Sequence, residues 1–146
     1  MNELDLLTGV LNYPPFLADI GEGARREIVK NFQVGGRYGD GLFGGGNKKW
    51  KPSQRVLKKG GQTLIDTGNL YRNITIGVKP DAKGITIEVE SMAYGVDHQT
   101  GTRKFPARPW ATLPDSFVQD VILRAFQIHL TPDKVVSKLE KLMGLQ

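Results

Sequence analysis

The chain has no cysteine among its 146 residues. That excludes disulfides and thiolate metal sites. It has two histidines, His98 and His129, and they lie too far apart in sequence to form a helical metal-binding pair. No metal and no cofactor is therefore expected. No apolar run approaches the roughly 18 residues of a membrane span. The N-terminus, MNELDLLTGV, places acids where a signal peptide needs positive charge. The expectation is a soluble, non-secreted protein with no membrane partner. Acids are also missing from the whole stretch between Asp40 and Asp66.

What the chain has in plenty is glycine, 18 residues, and positive charge, with 20 Lys and Arg against 15 Asp and Glu. The sign favours acidic partners, nucleic acid among them. The length suggests a single domain, 1–146, which can bury roughly 70% of its unfolded surface without a metal or a disulfide.

Residues 1–34 read as a helical region. After Pro14-Pro15, which suit a first helical turn, Leu17, Ile20, Ala24, Ile28 and Phe32 recur at helical steps. Gly21 and Gly23 weaken that helix by about 1 kcal/mol each, so packing must compensate. Residues 35–63 read as a long Gly-rich basic loop, GGRYGDGLFGGG followed by NKKWKPSQRVLKKGG. Residues 64–110 read as the β core. Ile74, Ile76 and Val78 alternate with polar residues, as do Ile85, Ile87 and Val89, and Pro80 to Gly84 supplies the turn of an antiparallel hairpin. Leu64 to Tyr71 is expected to hold a short helical turn capped by Asp66 or Thr67. Tyr94 to Thr102 is less regular. Phe105 to Trp110, with Pro106 and Pro109, reads as an edge strand or stiff arm.

Residues 111–146 read as helices. Val118, Val121, Ile122, Ala125, Phe126 and His129 mark one buried face; Val135, Leu139 and Leu142 mark another after Thr131-Pro132. The fold class is α+β, a short antiparallel sheet with helices packed on one face.

Two motifs look catalytic and fail on context. Gly39-Asp-Gly41-Leu-Phe-Gly44 matches a dinucleotide fingerprint but lacks the flanking strand and helix that would aim N–H groups at a pyrophosphate. Leu64-Ile65-Asp66-Thr67-Gly68 matches the aspartic-protease turn, but Asn69-Leu70 comes next where a small residue is needed. No β-strands precede it to build a paired-carboxylate site. Asp66, Thr67, Gly68 and Gly101 are better read as a structural turn set. His98 reads as a loop hydrogen-bonder and His129 as a residue at the core boundary. No catalytic residue is indicated, and the chain reads as a non-enzyme.

A wider set of residues is more specific. Trp50-Lys-Pro-Ser53 precedes Gly61-Gln-Thr-Leu64-Ile-Asp66-Thr67-Gly68-Asn-Leu70. Tyr94 then leads into His98-Gln99-Thr-Gly101-Thr102, with Pro106-Ala107-Arg108-Pro109-Trp110 after it. In this order and spacing the set resembles the phage virion morphogenesis family, small tail-completion proteins of contractile-tailed phages and Mu-like prophages. The resemblance runs from about Ala24 to Leu130; the stretch Gly35 to Gly46 departs from it. It implies a structural protein of tail completion and head–tail joining, resident in the virion at the neck and assembled in the host cytoplasm. It further implies a ring of its own copies, a hexamer, that meets head–tail connector and tail tube proteins close to packaged DNA. It does not separate a tail terminator from a head-closure adaptor.

The residues themselves suggest where such contacts lie. Arg37, Lys48, Lys49, Trp50 and Lys51 in the basic loop and Phe105, Arg108 and Trp110 in the arm are the candidate interface residues. For Trp110, core burial is an equal alternative. A second reading is a nucleic-acid-binding module, in which residues 37–59 supply phosphate contacts while Trp50 or Tyr38 stacks on bases.

Overall fold

The computed structural model describes residues 2–36, 49–65, 69–81, 84–104, 108 and 110–144. Helices dominate, and the sheet is a two-stranded antiparallel pair, so the class is α+β. The elements run α1 (Glu3–Leu11), α2 (Pro14–Gln33), α3 (Gln54–Lys59), α4 (Asn69–Arg72), β1 (Thr75–Asp81), β2 (Gly84–Glu90) and α5 (Ala93–Thr100). A π-helical segment (Val118–Leu123), α6 (Arg124–His129) and α7 (Pro132–Leu142) complete the order. The chain divides into two compact units: Met1–Gly23, Gly77–Glu88 and Ser116–Gln146 form the first, and Ala24–Ile76 and Val89–Asp115 the second.

In the first unit, α1 starts on a reciprocal cap. The Asp5 amide donates to Asn2 Oδ1 at 2.8 Å and the Asn2 amide to Asp5 Oδ2 at 3.3 Å. Val10, Leu11, Phe16, Ile20, Phe117, Ala125 and Leu130 are its buried apolar residues. His129 pairs with Asp19 and stands edge-on to Tyr13, which places it at the core boundary. Lys138 lies over the Tyr13 ring, 4.6 Å from the centroid, and donates to the Asn12 carbonyl at 3.2 Å.

The buried face expected over Val118 to His129 is corrected here. Val118, Val121 and Ile122 are half-buried, Phe126 is exposed, and Phe117 and Leu130 take the deepest places beside Ala125. The cause is the π-helical segment. Its i→i+5 bonding widens the turn and rotates the residues after it off the 3.6-residue register on which the stripe was drawn.

Helix α2 starts at Pro14, and its face Ile20, Ala24, Ile28, Phe32 is buried throughout. It ends in a left-handed glycine cap. Gly36 N–H donates to the Asn31 carbonyl at 2.9 Å and Gly35 N–H to that of Phe32 at 3.2 Å, with Gly35 at φ +73°.

In the second unit, Ile28, Phe32, Trp50, Leu70, Ile74 and Trp110 form one buried cluster, with Leu64, Ile65, Ile76 and Val89 against it. The hairpin, whose residues Gly77–Glu88 belong to the first unit, keeps Ile76, Val78, Ile85, Ile87 and Val89 half-buried, and Ile74, just before β1, is buried. On its exposed side Lys79 and Glu88 pair across the strands at 2.7 Å, which raises the lysine pKa.

Two further expectations change. The stretch read as a loop over 35–63 contains α3, started by Ser53, whose hydroxyl accepts from the Val56 amide. The less regular stretch Tyr94 to Thr102 is largely helix α5, which moves His98 from a loop to a helix. Among the described residues no strand forms from Ser91 to Trp110, and the hairpin is the one sheet. Asp66, Thr67 and Gly68, expected to cap the turn before α4, lie outside the described residues.

The helical glycines explain themselves by what they touch. A Cβ on Gly23 would overlap Val121 Cγ1 and stand 3.1 Å from its Cγ2, whereas one on Gly21 would rest 3.4 Å from Val78 Cγ2. Gly23→Ala is therefore expected to destabilise by about 1–3 kcal/mol through overpacking against a stiff β-branched side chain. Gly21→Ala should be neutral or stabilising by up to about 1 kcal/mol. Denaturant midpoints of the two variants, and recovery in Gly23→Ala/Val121→Ala, check both.

Candidate functional site

The motif residues after α5 are held by side chains that spend their polar atoms on backbone. Gln99 extends from α5 so that its Oε1 accepts both the Trp110 amide at 2.9 Å and the Ala111 amide at 2.8 Å. The Trp110 indole N–H donates to the Gly95 carbonyl at 2.7 Å, and Asn31 Nδ2 donates to the Trp110 carbonyl at 3.1 Å. Every polar group of a residue 3% exposed is thereby satisfied. Gly101 ends α5 at φ +82°, a geometry that glycine takes up without steric cost.

Arg108 ties this segment to the residues after Trp50. Its amide donates to the His98 carbonyl at 2.7 Å, and its guanidinium Nε–H donates to the Lys51 carbonyl at 2.8 Å. The residue is 4% exposed, and burial lowers its pKa from the usual value. Arg55 makes a similar clasp nearby. Its Nη2 donates to the carbonyls of Gln62 at 2.7 Å and Ile65 at 3.1 Å, around a turn in which Leu64 takes φ +65°.

Between these clasps lies a cavity of about 450 Å³ lined by Lys51, Ser53, Arg55, His98, Lys104 and Arg108, with Pro52 and Gln54. Among the described residues no carboxylate lines it. Burial, and then the charge of Arg108, hold the His98 imidazole below its usual 6.5, against a smaller upward pull from Asp97.

The candidate interface residues therefore part company. Trp50 is buried edge-on to Phe32, Trp110 is packed against Phe32, and Arg108 is enclosed by its own chain. All three are buried within their own chain, and for Trp110 this is the core burial held equal to an anchoring role. Lys49 and Lys51 are exposed, and Lys49 Nζ donates to the Val34 carbonyl at 2.5 Å. Arg37, Lys48 and Phe105 lie outside the described residues, as do Pro106, Pro109 and Tyr38.

No family model, curated protein or solved structure matches this chain. Among the described residues no group of His, Cys, Asp and Glu could hold a metal ion, and no helix is long and apolar enough to cross a membrane. Sequence reasoning missed the roles of Gln99, Lys104 and Arg55. Gln99 stood in the motif set and Arg55 in the basic stretch, each without an assigned role, and no signal singled out Lys104.

Gln99→Leu strands two backbone donors and should cost about 2–4 kcal/mol, whereas Gln99→Glu keeps the accepting oxygen and should cost clearly less; equilibrium unfolding separates them. The depressed His98 pKa means the unfolded chain binds more protons below 6.5. Its contribution is intact above that value and is lost as pH falls through the window beneath it. Between about pH 7.5 and 5.5 the unfolding midpoint should therefore fall further for the native chain than for His98→Gln.

Proposed function

We propose that the chain is a structural protein of a phage particle, acting in tail completion and head–tail joining. It works as a ring of its own copies, a hexamer, at the neck. Its neighbours there are head–tail connector and tail tube proteins, with packaged DNA close by. The support is the ordered motif set that resembles the virion morphogenesis family, together with the use made of those motifs. Trp50, Leu70 and Trp110 are distant in sequence yet pack in one cluster. Gln99 and Arg108 then lock that cluster's backbone. Motifs spent on interlocking backbone suit a part whose work is to hold a shape against neighbours.

The alternative, a nucleic-acid-binding module on residues 37–59, needs an aromatic platform for bases. Trp50 is 8% exposed and packs in the core, and Tyr38, the other candidate platform, lies outside the described residues.

Deleting the gene from its phage or prophage should leave filled heads beside separate tails, or tails of uncontrolled length, in electron micrographs of the lysate. Normal infectious particles would refute the proposal.

A further inference from the structure

The two units of the chain differ in the sign of their charge. The first, Met1–Gly23, Gly77–Glu88 and Ser116–Gln146, carries nine Asp and Glu against six Lys and Arg. The second, Ala24–Ile76 and Val89–Asp115, carries fourteen Lys and Arg against six Asp and Glu. The positive surplus of the whole chain therefore belongs to the second unit alone.

Each unit also sets an apolar side chain among charges at its surface. On the second, α3 has no buried residue. Arg55 turns back to the Gln62 and Ile65 carbonyls and holds the helix to its own chain. Leu57, Lys58 and Lys59 are exposed, and Leu57, at 67%, is the most exposed large apolar side chain among the described residues. On the first, Leu7 lies one turn before Leu11 on α1, and Glu3 one turn before Leu7, so the three share a face. Leu11 is buried, whereas Leu7 is 54% exposed and Glu3 is exposed with it. Asp5 adds a second exposed carboxylate in the same turn.

We propose that these are the two sides of one contact between copies of the chain: α3 of one copy docks on the first turns of α1 of the next. A leucine beside lysines and a leucine beside carboxylates are complementary in both shape and charge. Both surfaces are open within their own chain, which leaves the pairing to another copy. The apolar pair supplies affinity, and the charges select which faces meet. The contact is heterologous, one surface against a different one, and each copy carries both, as a ring requires. The inference rests on the ring reading and supplies its interface.

The test is sedimentation velocity on the full chain over a series of concentrations. Raising the salt from about 0.05 to about 0.5 M screens exposed charges and should weaken self-association about tenfold or more. Lys58→Glu/Lys59→Glu on one side, and Glu3→Lys/Leu7→Lys on the other, should each weaken it about a hundredfold or more. Leu57→Ser should weaken it about tenfold. Mixed in equal amounts, the two charge variants should associate again, since every α3 then finds an α1 of opposite sign. A misfolded variant would rescue nothing, so mixing also separates loss of the contact from loss of the fold. Self-association that both charge variants leave intact overturns the contact while leaving the ring to other surfaces. Variants with native circular dichroism that fail to associate on mixing overturn it as well. A native chain that stays monomeric throughout overturns the contact and counts against the ring itself. The proposal also falls if Lys58→Glu/Lys59→Glu abolishes binding of a short DNA duplex and leaves self-association untouched, which would turn α3 toward nucleic acid.

Discussion

The burial of Trp110 with all of its polar groups satisfied is the constraint on which the second unit depends. A buried indole N–H or backbone amide left without a partner costs a good part of a small domain's net stability. Four residues meet that demand. Gly95 supplies the indole acceptor, Gln99 accepts the backbone N–H, Asn31 donates to the carbonyl, and Phe32 covers the ring. Asn31 is itself fully buried and donates a second bond to the Thr112 hydroxyl at 2.8 Å. A polar network of this kind is stable only when complete, so it also specifies which segments must come together.

Arg108 extends the same logic to charge. Burying a guanidinium is costly, and its bonds to backbone carbonyls recover part of that cost. The carbonyls it reaches, Lys51 and Pro52, belong to the segment directly after Trp50. One arginine thus fixes the return of the chain and leaves positive potential in the cavity beside His98. Structure and electrostatics are coupled there: burial first, and then the charge of the side chain that closes the fold, depress the neighbouring imidazole.

Glycine has two distinct uses along α2. At the C-terminus Gly35 adopts a backbone that other residues avoid, and Trp50 returns beside it. The Trp50 amide donates to the Gly35 carbonyl at 2.8 Å. Inside the helix, Gly23 is needed for the space it vacates to Val121. The weakness that glycine brings to a helix interior is the condition for close packing at that point.

What the sequence by itself determined are the elements whose signals are local. The α2 face, the two alternating strands and the Thr131-Pro132 start of α7 arise from periods of 3.6 and 2 and from proline chemistry, which neighbouring residues settle among themselves. Tertiary structure decided the rest. Helix α5 carries Gly95, a β-branched Val96 and little amphipathic pattern, and its helical state is supported by the contacts of Gly95 and Gln99 with a segment more than ten residues away. The π-helical turn shifts a buried stripe by an amount that no periodicity contains. In sequence Arg108 looks like an anchor on a stiff arm, and Trp110 fits an anchor and a core residue equally well. They are inside because partners as distant as Asn31 and Lys51 satisfy their donors and acceptors. Burial of a polar group is set by who completes its hydrogen bonds, and that information is carried by segments far apart in the chain.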